Sequence, residues 1–211
     1  MPTFKMERAA GGVVAGIDEA GRGPLAGPVV AAAVVFSRCR APRALARELD
    51  DSKKLAPAVR ERLSRAVLGC AHVGVGIADV GEIDRLNILR ASLLAMARAV
   101  EALGIAIDLA IVDGKIPPTL PCPVRCVVGG DGLCLSVAAA SVVAKVRRDA
   151  IMTDLACAHP GYGWEHNAGY ATRCHRDAIA RLGPTPHHRR SFRPIANLFA
   201  PTPPQARRHE A

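Results

Sequence analysis

The residues best suited to chemistry in this chain are two adjacent carboxylates, Asp18 and Glu19, which precede the glycine-rich run Gly21-Arg22-Gly23. Side chains alternate faces along a β-strand, so the two carboxylates would point apart if the strand continued through them. The glycines allow the backbone to leave strand geometry, which would let both acids face one site, and they let backbone N–H groups approach a ligand closely. A turn that carries two solvated acids is the alternative that this pattern leaves open.

Asp113 is a third carboxylate that could line a site, because it ends the apolar segment 109–112 and is followed by Gly114. Carboxylates at the carboxyl-terminal edge of a central strand commonly line ligand sites in α/β proteins. An aspartate that opens an ordinary turn would give the same local pattern. The residues alone leave both interpretations open.

These acids must be positioned by short strands and longer helices. Hydrophobic patterning predicts strands at residues 13–17, 29–36, 71–78, 109–112 and 124–128. It predicts helices at residues 57–68, 83–103 and 136–158, with residues 37–49 irregular. Asp79 and Glu82 have the spacing of a capping box before the second of these helices. The small residues of the third would let it lie close against the sheet. Arg148 and Asp149, adjacent on that helix, are expected to form local salt bridges rather than a catalytic pair.

Length and composition limit the class of protein. The 211 residues are enough for one well-buried domain, and 50% of them are hydrophobic. The net charge of +9 is typical of proteins that bind a polyanion, with nucleic acid the first candidate and an anionic membrane surface the second. Aromatic residues make up 3% of the chain, which argues against binding mainly by stacking single-stranded bases. The arginines and histidines between residues 173 and 193 predict a nucleic-acid face, with a solvated cationic helix as the alternative.

The sequence shows no feature of a membrane or secreted protein. The longest apolar run, residues 29–36, is only long enough for a strand, and residues 1–12 lack the apolar core of a signal peptide. The expected location is therefore the cytoplasm, with no membrane partner. The seven cysteines are irregularly spaced and have no Cys-x-x-Cys pair, so small buried thiols are expected rather than a zinc site.

Several segments resemble one family. Asp18 to Gly27 is similar to the signature of ribonuclease HII, the type 2 ribonuclease H family, and the resemblance extends from about Gly16 to Phe192. The further segments that carry it are Asp51-Ser52-Lys53-Lys54, Ile111-Val112-Asp113-Gly114, Ala139 to Asp149, Tyr162-Gly163-Trp164, Gly169-Tyr170 and His187 to Phe192. The chain departs from the family pattern at Gly129, where a lysine is usual, and at Asn167-Ala168, where His-Lys is usual.

The resemblance implies a ribonuclease H-like α/β fold, a mixed central sheet flanked by helices with a helical, basic C-terminal segment. It implies that Asp18, Glu19, Asp113 and Asp131 form the catalytic and metal-binding set. Oxygen-only ligands suit Mg²⁺ or Mn²⁺ rather than zinc, and two such ions could bind the attacking water and the leaving oxygen of a phosphodiester. The residues implied in substrate binding are Gly21, Arg22, Gly23, Ser52, Lys53, Lys54 and Tyr170. The implied reaction is endonucleolytic hydrolysis of the RNA strand in RNA–DNA hybrids and at ribonucleotides embedded in duplex DNA, leaving 5′-phosphate and 3′-hydroxyl ends.

Two other functions are compatible with these patterns. The sister enzyme ribonuclease HIII would share the acidic site but usually carries an extra N-terminal domain, and only about a dozen residues precede the first predicted strand here. A non-catalytic nucleic-acid-binding module is the other, disfavoured because unpaired acids would repel the nucleic acid. The expected organisation is an N-terminal extension at residues 1–12, one catalytic domain at residues 13–199 and a disordered tail at residues 200–211, in a monomer.

Overall fold

A computed structural model describes residues 1–199 of the chain; the predicted disordered tail lies outside these residues. Five strands form one mixed sheet in the order β3-β2-β1-β4-β5. Their bounds are β1 Val14–Ala20, β2 Val29–Val35, β3 His72–Ala78, β4 Leu109–Asp113 and β5 Val124–Val127. All five predicted strands are therefore present. None of the helices within residues 1–199 is both long and apolar enough to cross a membrane.

Strand β1 lies at the centre of the sheet and determines where the acids lie. It runs antiparallel to β2 and parallel to β4, with Ile17 opposite Val112 in the parallel pair. Asp18 and Asp113 are the residues that follow this pair on their own strands, so both emerge at the same edge of the sheet. The parallel pairing thus brings together two acids that lie 95 residues apart in the sequence.

Helices cover both faces of the sheet. The helices of the described residues are α1 Lys5–Ala10, α2 Arg43–Glu48, α3 Pro57–Leu68, α4 Val80–Leu86, α5 Ile88–Glu101, α6 Leu135–Ala158, α7 Trp164–Asn167, α8 Arg173–Leu182 and α9 Arg193–Phe199. Helix α5 packs on one face and α6 with α3 on the other, each above its own buried apolar cluster. Glycines permit the close approach: a Cβ on Gly16 would lie 2.3 Å from the backbone of Ser136 in α6, and one on Gly76 would lie 2.0 Å from the carbonyl oxygen of Ala95 in α5.

Two predicted elements were wrong in part. Residues 37–49 are not irregular throughout, because α2 forms after Pro42 and buries Leu45. The predicted helix 83–103 is divided into α4 and α5 at Asn87, whose φ is +69°. The side chain of Asn87 accepts hydrogen bonds from the backbone N–H groups of Leu89 (3.0 Å) and Arg90 (3.2 Å) and so starts a new helix. The predicted capping box of Asp79 and Glu82 is present at the start of α4.

The N-terminal residues pack against the body of the domain. Phe4 in the segment before α1 makes an edge-to-face contact with Phe36. Glu7 in α1 is buried, and its Oε1 accepts hydrogen bonds from the backbone N–H (3.0 Å) and hydroxyl (2.8 Å) of Ser136. These donors lie in the first turn of α6, where backbone N–H groups lack partners within the helix and a negative charge is stabilised. Residues 1–12 therefore help to anchor the longest helix of the fold.

Candidate active site

Asp18 lies near the end of β1 with only 6% of its surface exposed. Its Oδ1 accepts a hydrogen bond of 2.7 Å from the backbone N–H of Glu19. Burial, followed by the charges of Glu19 and Asp113, raises the pKa of Asp18 well above its usual range. A cation bound nearby would stabilise the charged form of this carboxylate.

Glu19 is the second predicted acid. The guanidinium of Arg22 donates to its Oε1 at 3.2 Å, while Oε2 is buried without a hydrogen-bond partner among the described residues. Burial raises the pKa of Glu19, the charge of Arg22 opposes the increase, and the charge of Asp113 adds to it. A buried carboxylate oxygen without a partner is costly, so Oε2 marks a place for a cation or a donor.

Asp113 and Asp131 complete the predicted set. Asp113 ends β4, and its Oδ1 accepts a hydrogen bond of 2.8 Å from the backbone N–H of Gly130. This bond ties the tight turn Gly130–Gly132, which carries Asp131, to the end of β4. Burial and then the charges of Asp51 and Asp113 raise the pKa of Asp131. The charge of Asp113 therefore acts on Asp18, Glu19 and Asp131 at this sheet edge.

The donor set fits a hard divalent cation. All four side chains offer only oxygen, which Mg²⁺ and Mn²⁺ prefer, and one oxygen is buried without a partner. Within residues 1–199, no three acidic, histidine or cysteine side chains converge closely enough to enclose a single ion. Instead, Arg22 holds one oxygen of Glu19, and a backbone N–H holds one oxygen of Asp113. The cationic guanidinium of Arg22 and the neutral N–H of Gly130 thus each stabilise one of the neighbouring carboxylates.

Of the two predicted lysines, only Lys53 lies near the acids. Partial burial lowers its pKa, but the charges of Asp51, Asp18, Asp131 and Asp113 outweigh this and raise it overall. Lys54 is 60% exposed and its Nζ lies 3.2 Å from a carboxylate oxygen of Asp50. Lys53 thus lies within the influence of the acids, whereas Lys54 has its own partner on the surface.

The turn that presents Lys53 is fixed from several sides. The hydroxyl groups of Ser52 and Ser141 lie 2.9 Å apart, and Ser141 also hydrogen-bonds to Asp18, which lowers the pKa of that carboxyl against the larger effect of burial. Arg60 in α3 donates to the carbonyl oxygens of Ser52 (3.2 Å) and Leu55 (2.6 Å). Ser52 is buried, so the structure places it as a support for the turn.

The loop Gly21-Arg22-Gly23 borders the acids and is shaped by its glycines. Gly21 has φ +99°, and a Cβ there would lie 2.0 Å from Nε of Arg148 and 2.8 Å from the carbonyl oxygen of Pro28, so no other residue fits. A Cβ on Gly23 would have Cε1 of Tyr170 as its nearest neighbour, at 3.6 Å. The ring of Tyr170, 46% exposed, therefore stands beside the loop, and these two predicted substrate-binding elements lie together.

Two arginines beneath this loop were not recognised from the sequence as part of the site. Arg148 is buried and donates to the carbonyl oxygens of Pro28 (3.0 Å), Ala26 (3.1 Å) and Ala168 (3.0 Å). The prediction of a local salt bridge was wrong for Arg148; it holds for Asp149, which pairs with Lys145 and Arg60. The second is Arg189, also buried. For Arg148 the signal available in the sequence was its place just after the run of small residues in α6.

The basic segment 173–193 is only partly a surface. Arg189, His175 and His188 are buried. The indole N–H of Trp164 donates to Nε2 of His175 at 2.9 Å, and Nε2 of His188 lies 3.1 Å from the same atom. Nδ1 of His175 lies 2.9 Å from the carbonyl oxygen of Tyr170, so the cluster supports that residue. The exposed arginines of this segment are Arg173, Arg176, Arg181, Arg190 and Arg193.

The cysteines form neither disulfides nor the expected set of buried thiols. All seven are free, but Cys134 alone is fully buried, whereas Cys157 and Cys174 are exposed. Spacing alone therefore did not predict their burial.

Comparison with known proteins identifies the family. The family model for ribonuclease HII matches residues 15–195. The ribonuclease HII of Paramagnetospirillum magneticum is 64% identical over 94% of this chain and 99% of its own length. That of Rhodospirillum rubrum is 60% identical over 95% of this chain and 93% of its own length.

Solved structures agree with this result. The ribonuclease H2 of Pyrococcus horikoshii has a TM-score of 0.73 at 26% identity, covering 88% of this chain and 96% of that one. Bst ribonuclease HIII in complex with Mn²⁺ has a TM-score of 0.73 at 19% identity, covering 94% of this chain and 73% of that one, and shares the fold. The mixed sheet and its flanking helices define a ribonuclease H-like hydrolase. The chain belongs to the ribonuclease HII family, as its motifs predicted.

Proposed function

We propose that this protein hydrolyses the RNA strand of RNA–DNA hybrids and cleaves duplex DNA at embedded ribonucleotides, with two divalent ions at the carboxylate site. The observations that support the proposal are that the charge of Asp113 acts on Asp18, Glu19 and Asp131 at one sheet edge, and that a buried oxygen of Glu19 has no hydrogen-bond partner among the described residues. We expect the catalytic domain at residues 13–199 to act as a monomer in the cytoplasm.

The four acids would hold Mn²⁺ or Mg²⁺. Such ions supply a Lewis acid for the phosphate and a water nucleophile active near neutral pH. The complex of Bst ribonuclease HIII with Mn²⁺ supports this cofactor for the fold. The acids would supply the negative charge that retains the ions, and Lys53 beside them would orient a phosphate oxygen. No serine, cysteine or histidine is needed as a nucleophile.

Substrate choice requires a distinction between ribose and deoxyribose, which differ at the 2′-hydroxyl. The backbone of Gly21-Arg22-Gly23 can approach this group without steric conflict, and the exposed ring of Tyr170 borders the same place. The exposed arginines of α8 and the net charge of +9 supply contacts to the phosphate backbone. Binding should therefore weaken steeply with salt, because bound phosphates release counterions.

The proposal is tested with an end-labelled DNA duplex that contains one ribonucleotide, incubated with Mn²⁺ or with EDTA. We expect cleavage only with the metal, with 5′-phosphate and 3′-hydroxyl products. Asp113→Asn should reduce turnover by at least about 100-fold, because it removes a negative charge at the reacting centre. Binding of the duplex should stay within about threefold of wild type, because contacts to the phosphate backbone dominate affinity.

Asp154→Asn is the matched control, since it makes the same chemical change at an exposed position of α6. It should leave turnover unchanged. Retained turnover in Asp113→Asn would refute the assigned site. A 2′,3′-cyclic phosphate product would refute water as the nucleophile, because it shows attack by the ribose itself.

A further inference from the structure

Arg189 makes an unusual set of contacts for a residue from a basic segment. Its side chain is completely buried, and it donates to four carbonyl oxygens of the loop that follows β1. Nη2 lies 2.5 Å from the oxygen of Gly21 and 3.3 Å from that of Pro28, Nη1 lies 3.0 Å from that of Arg22, and Nε lies 3.0 Å from that of Gly27. One planar guanidinium thus holds both ends of the loop.

The backbone beside Arg189 is tied to the same loop. Its N–H donates to the carbonyl oxygen of Leu25 at 2.8 Å, and the N–H of Gly27 donates to that of His187 at 2.9 Å. Ala26 and His188 form an antiparallel bridge between these two bonds. The main chain of Arg189 therefore fixes the position of its guanidinium relative to the loop. The guanidinium carbon Cζ lies 5.0 Å from the centre of the Phe192 ring.

No carboxylate lies within ion-pair distance of Arg189 or Arg148 in residues 1–199. Carbonyl dipoles stabilise both charges instead. Burial, followed by the charge of Arg148, lowers the pKa of Arg189 to about 9, which leaves it a cation at neutral pH. Two desolvated cations beneath one loop are costly unless the loop carbonyls point at them, so their burial selects a single orientation of those peptides.

That orientation determines where the loop N–H groups point. The peptide bonds from Gly21 to Gly23 are trans, and in a planar trans peptide the C=O and N–H bonds point in opposite directions. Because the carbonyls of Gly21 and Arg22 point inward at Arg189, the N–H groups of Arg22 and Gly23 point away from it. Neither N–H donates to an acceptor within the described part of the chain, and both residues are exposed.

We propose that Arg189 is a positioning residue for ribonucleotide selectivity: it holds the carbonyls of Gly21 and Arg22 inward and so aims two successive N–H groups at the 2′-hydroxyl of the substrate. This inference rests on the proposed function. A ribose oxygen accepts from these donors, whereas a deoxyribose leaves them unpaired beside the ring of Tyr170, and unpaired donors in an interface reduce affinity. Without the guanidinium, the two peptides can rotate and the preference is lost.

The test measures binding preference rather than turnover. Wild-type protein with Ca²⁺, used as the divalent cation, is titrated with two matched DNA duplexes, one of which contains a single ribonucleotide. The preference is the ratio of the two Kd values. In Arg189→Met the ratio should fall at least about tenfold toward 1, as expected when a hydroxyl-specific contact is lost. The Kd of the all-DNA duplex should stay within about twofold of the wild-type value, because the phosphate contacts remain.

Arg148→Met is the matched control. It also removes a buried guanidinium with three carbonyl contacts under the same loop, but it leaves the contacts of Arg189 to Gly21 and Arg22. It should lower the melting temperature like Arg189→Met and keep most of the preference. If both variants lose the preference equally, a general loss of loop packing explains it and the inference is overturned.

Arg189→Lys provides a second variant if the methionine variant does not fold, since an ammonium cannot reproduce the planar fork that reaches Gly21 and Arg22 together. Its preference should lie between wild type and 1, and a full wild-type preference would overturn the inference. A wild-type protein that binds both duplexes equally and cleaves neither would refute the proposed function itself. A wild-type preference that survives in Arg189→Met would refute only the role of Arg189.

Discussion

Replacing Asp18 by asparagine should make the metal-free protein more stable while abolishing cleavage. Asp18 is 6% exposed, and burial together with the charges of Glu19 and Asp113 opposes its ionisation. The amide has nearly the same shape, and its oxygen can still accept the 2.7 Å hydrogen bond from the N–H of Glu19. The substitution therefore removes a desolvated charge without opening a cavity.

The gain in the free energy of unfolding should be about 1–3 kcal/mol, the usual cost of an uncompensated buried polar group. For a protein of this length that corresponds to a melting temperature about 2–12 °C higher. The pKa of Asp18 is raised in the folded state. At pH values between the ordinary aspartate pKa and this raised pKa, the folded protein binds more protons than the unfolded protein. The stability of the wild-type protein therefore falls as the pH rises through this range. The advantage of Asp18→Asn should therefore be small near pH 4, about the ordinary carboxyl pKa, and increase toward neutral pH.

The assay is thermal unfolding by circular dichroism in EDTA and then with increasing Mn²⁺. Wild type should gain stability with the metal, by about 2.7 kcal/mol at 100 times the Kd, and Asp18→Asn should lose most of that gain. Asp154→Asn serves as the exposed control. A lower melting temperature for Asp18→Asn in EDTA, or equal stabilisation of both proteins by Mn²⁺, would refute the reasoning.

Two further predictions concern the supports of the site. Glu7→Ala should lower the free energy of unfolding by about 1–3 kcal/mol, because the N–H and hydroxyl of Ser136 lose their acceptor. Urea unfolding measures this loss against the exposed control Glu61→Ala. Equal stability of the two variants would contradict the prediction. Burial lowers the pKa of His188 to about 4, so its contribution to stability is complete above its ordinary pKa and is lost as the pH falls through this window. Unfolding between pH 4.5 and 7 should show a weaker pH dependence for His188→Gln than for wild type, and identical slopes would exclude this role.

Patterns confined to one element were predictable from the sequence. Apolar runs identified the strands, and the position of Asp113 at the end of one of them was correct because side chains at the carboxyl edge of parallel strands converge. The capping box at Asp79 was predictable because both of its partners lie within four residues. The fold could therefore be predicted together with the family motifs, whereas the roles of the four acids stay a prediction.

Features that depend on distant partners could not be predicted in this way. The apolar stripe of α4 and α5 continues in phase across Asn87, so its periodicity conceals the break that a single residue with positive φ creates. Arg189 belongs to a basic segment, and arginines in such segments are usually solvated. Its burial depends on carbonyls of a loop 162 residues earlier, a contact that no local pattern records.

That long separation has a consequence during protein synthesis. The loop at residues 21–28 is made before Arg189, which follows 162 residues after Gly27. At about 5–20 residues per second, this interval lasts roughly 8–32 s. During that time the loop lacks the guanidinium that holds the carbonyl groups of Gly21 and Arg22 in the folded protein. The loop can therefore reach its final geometry only after Arg189 has been made.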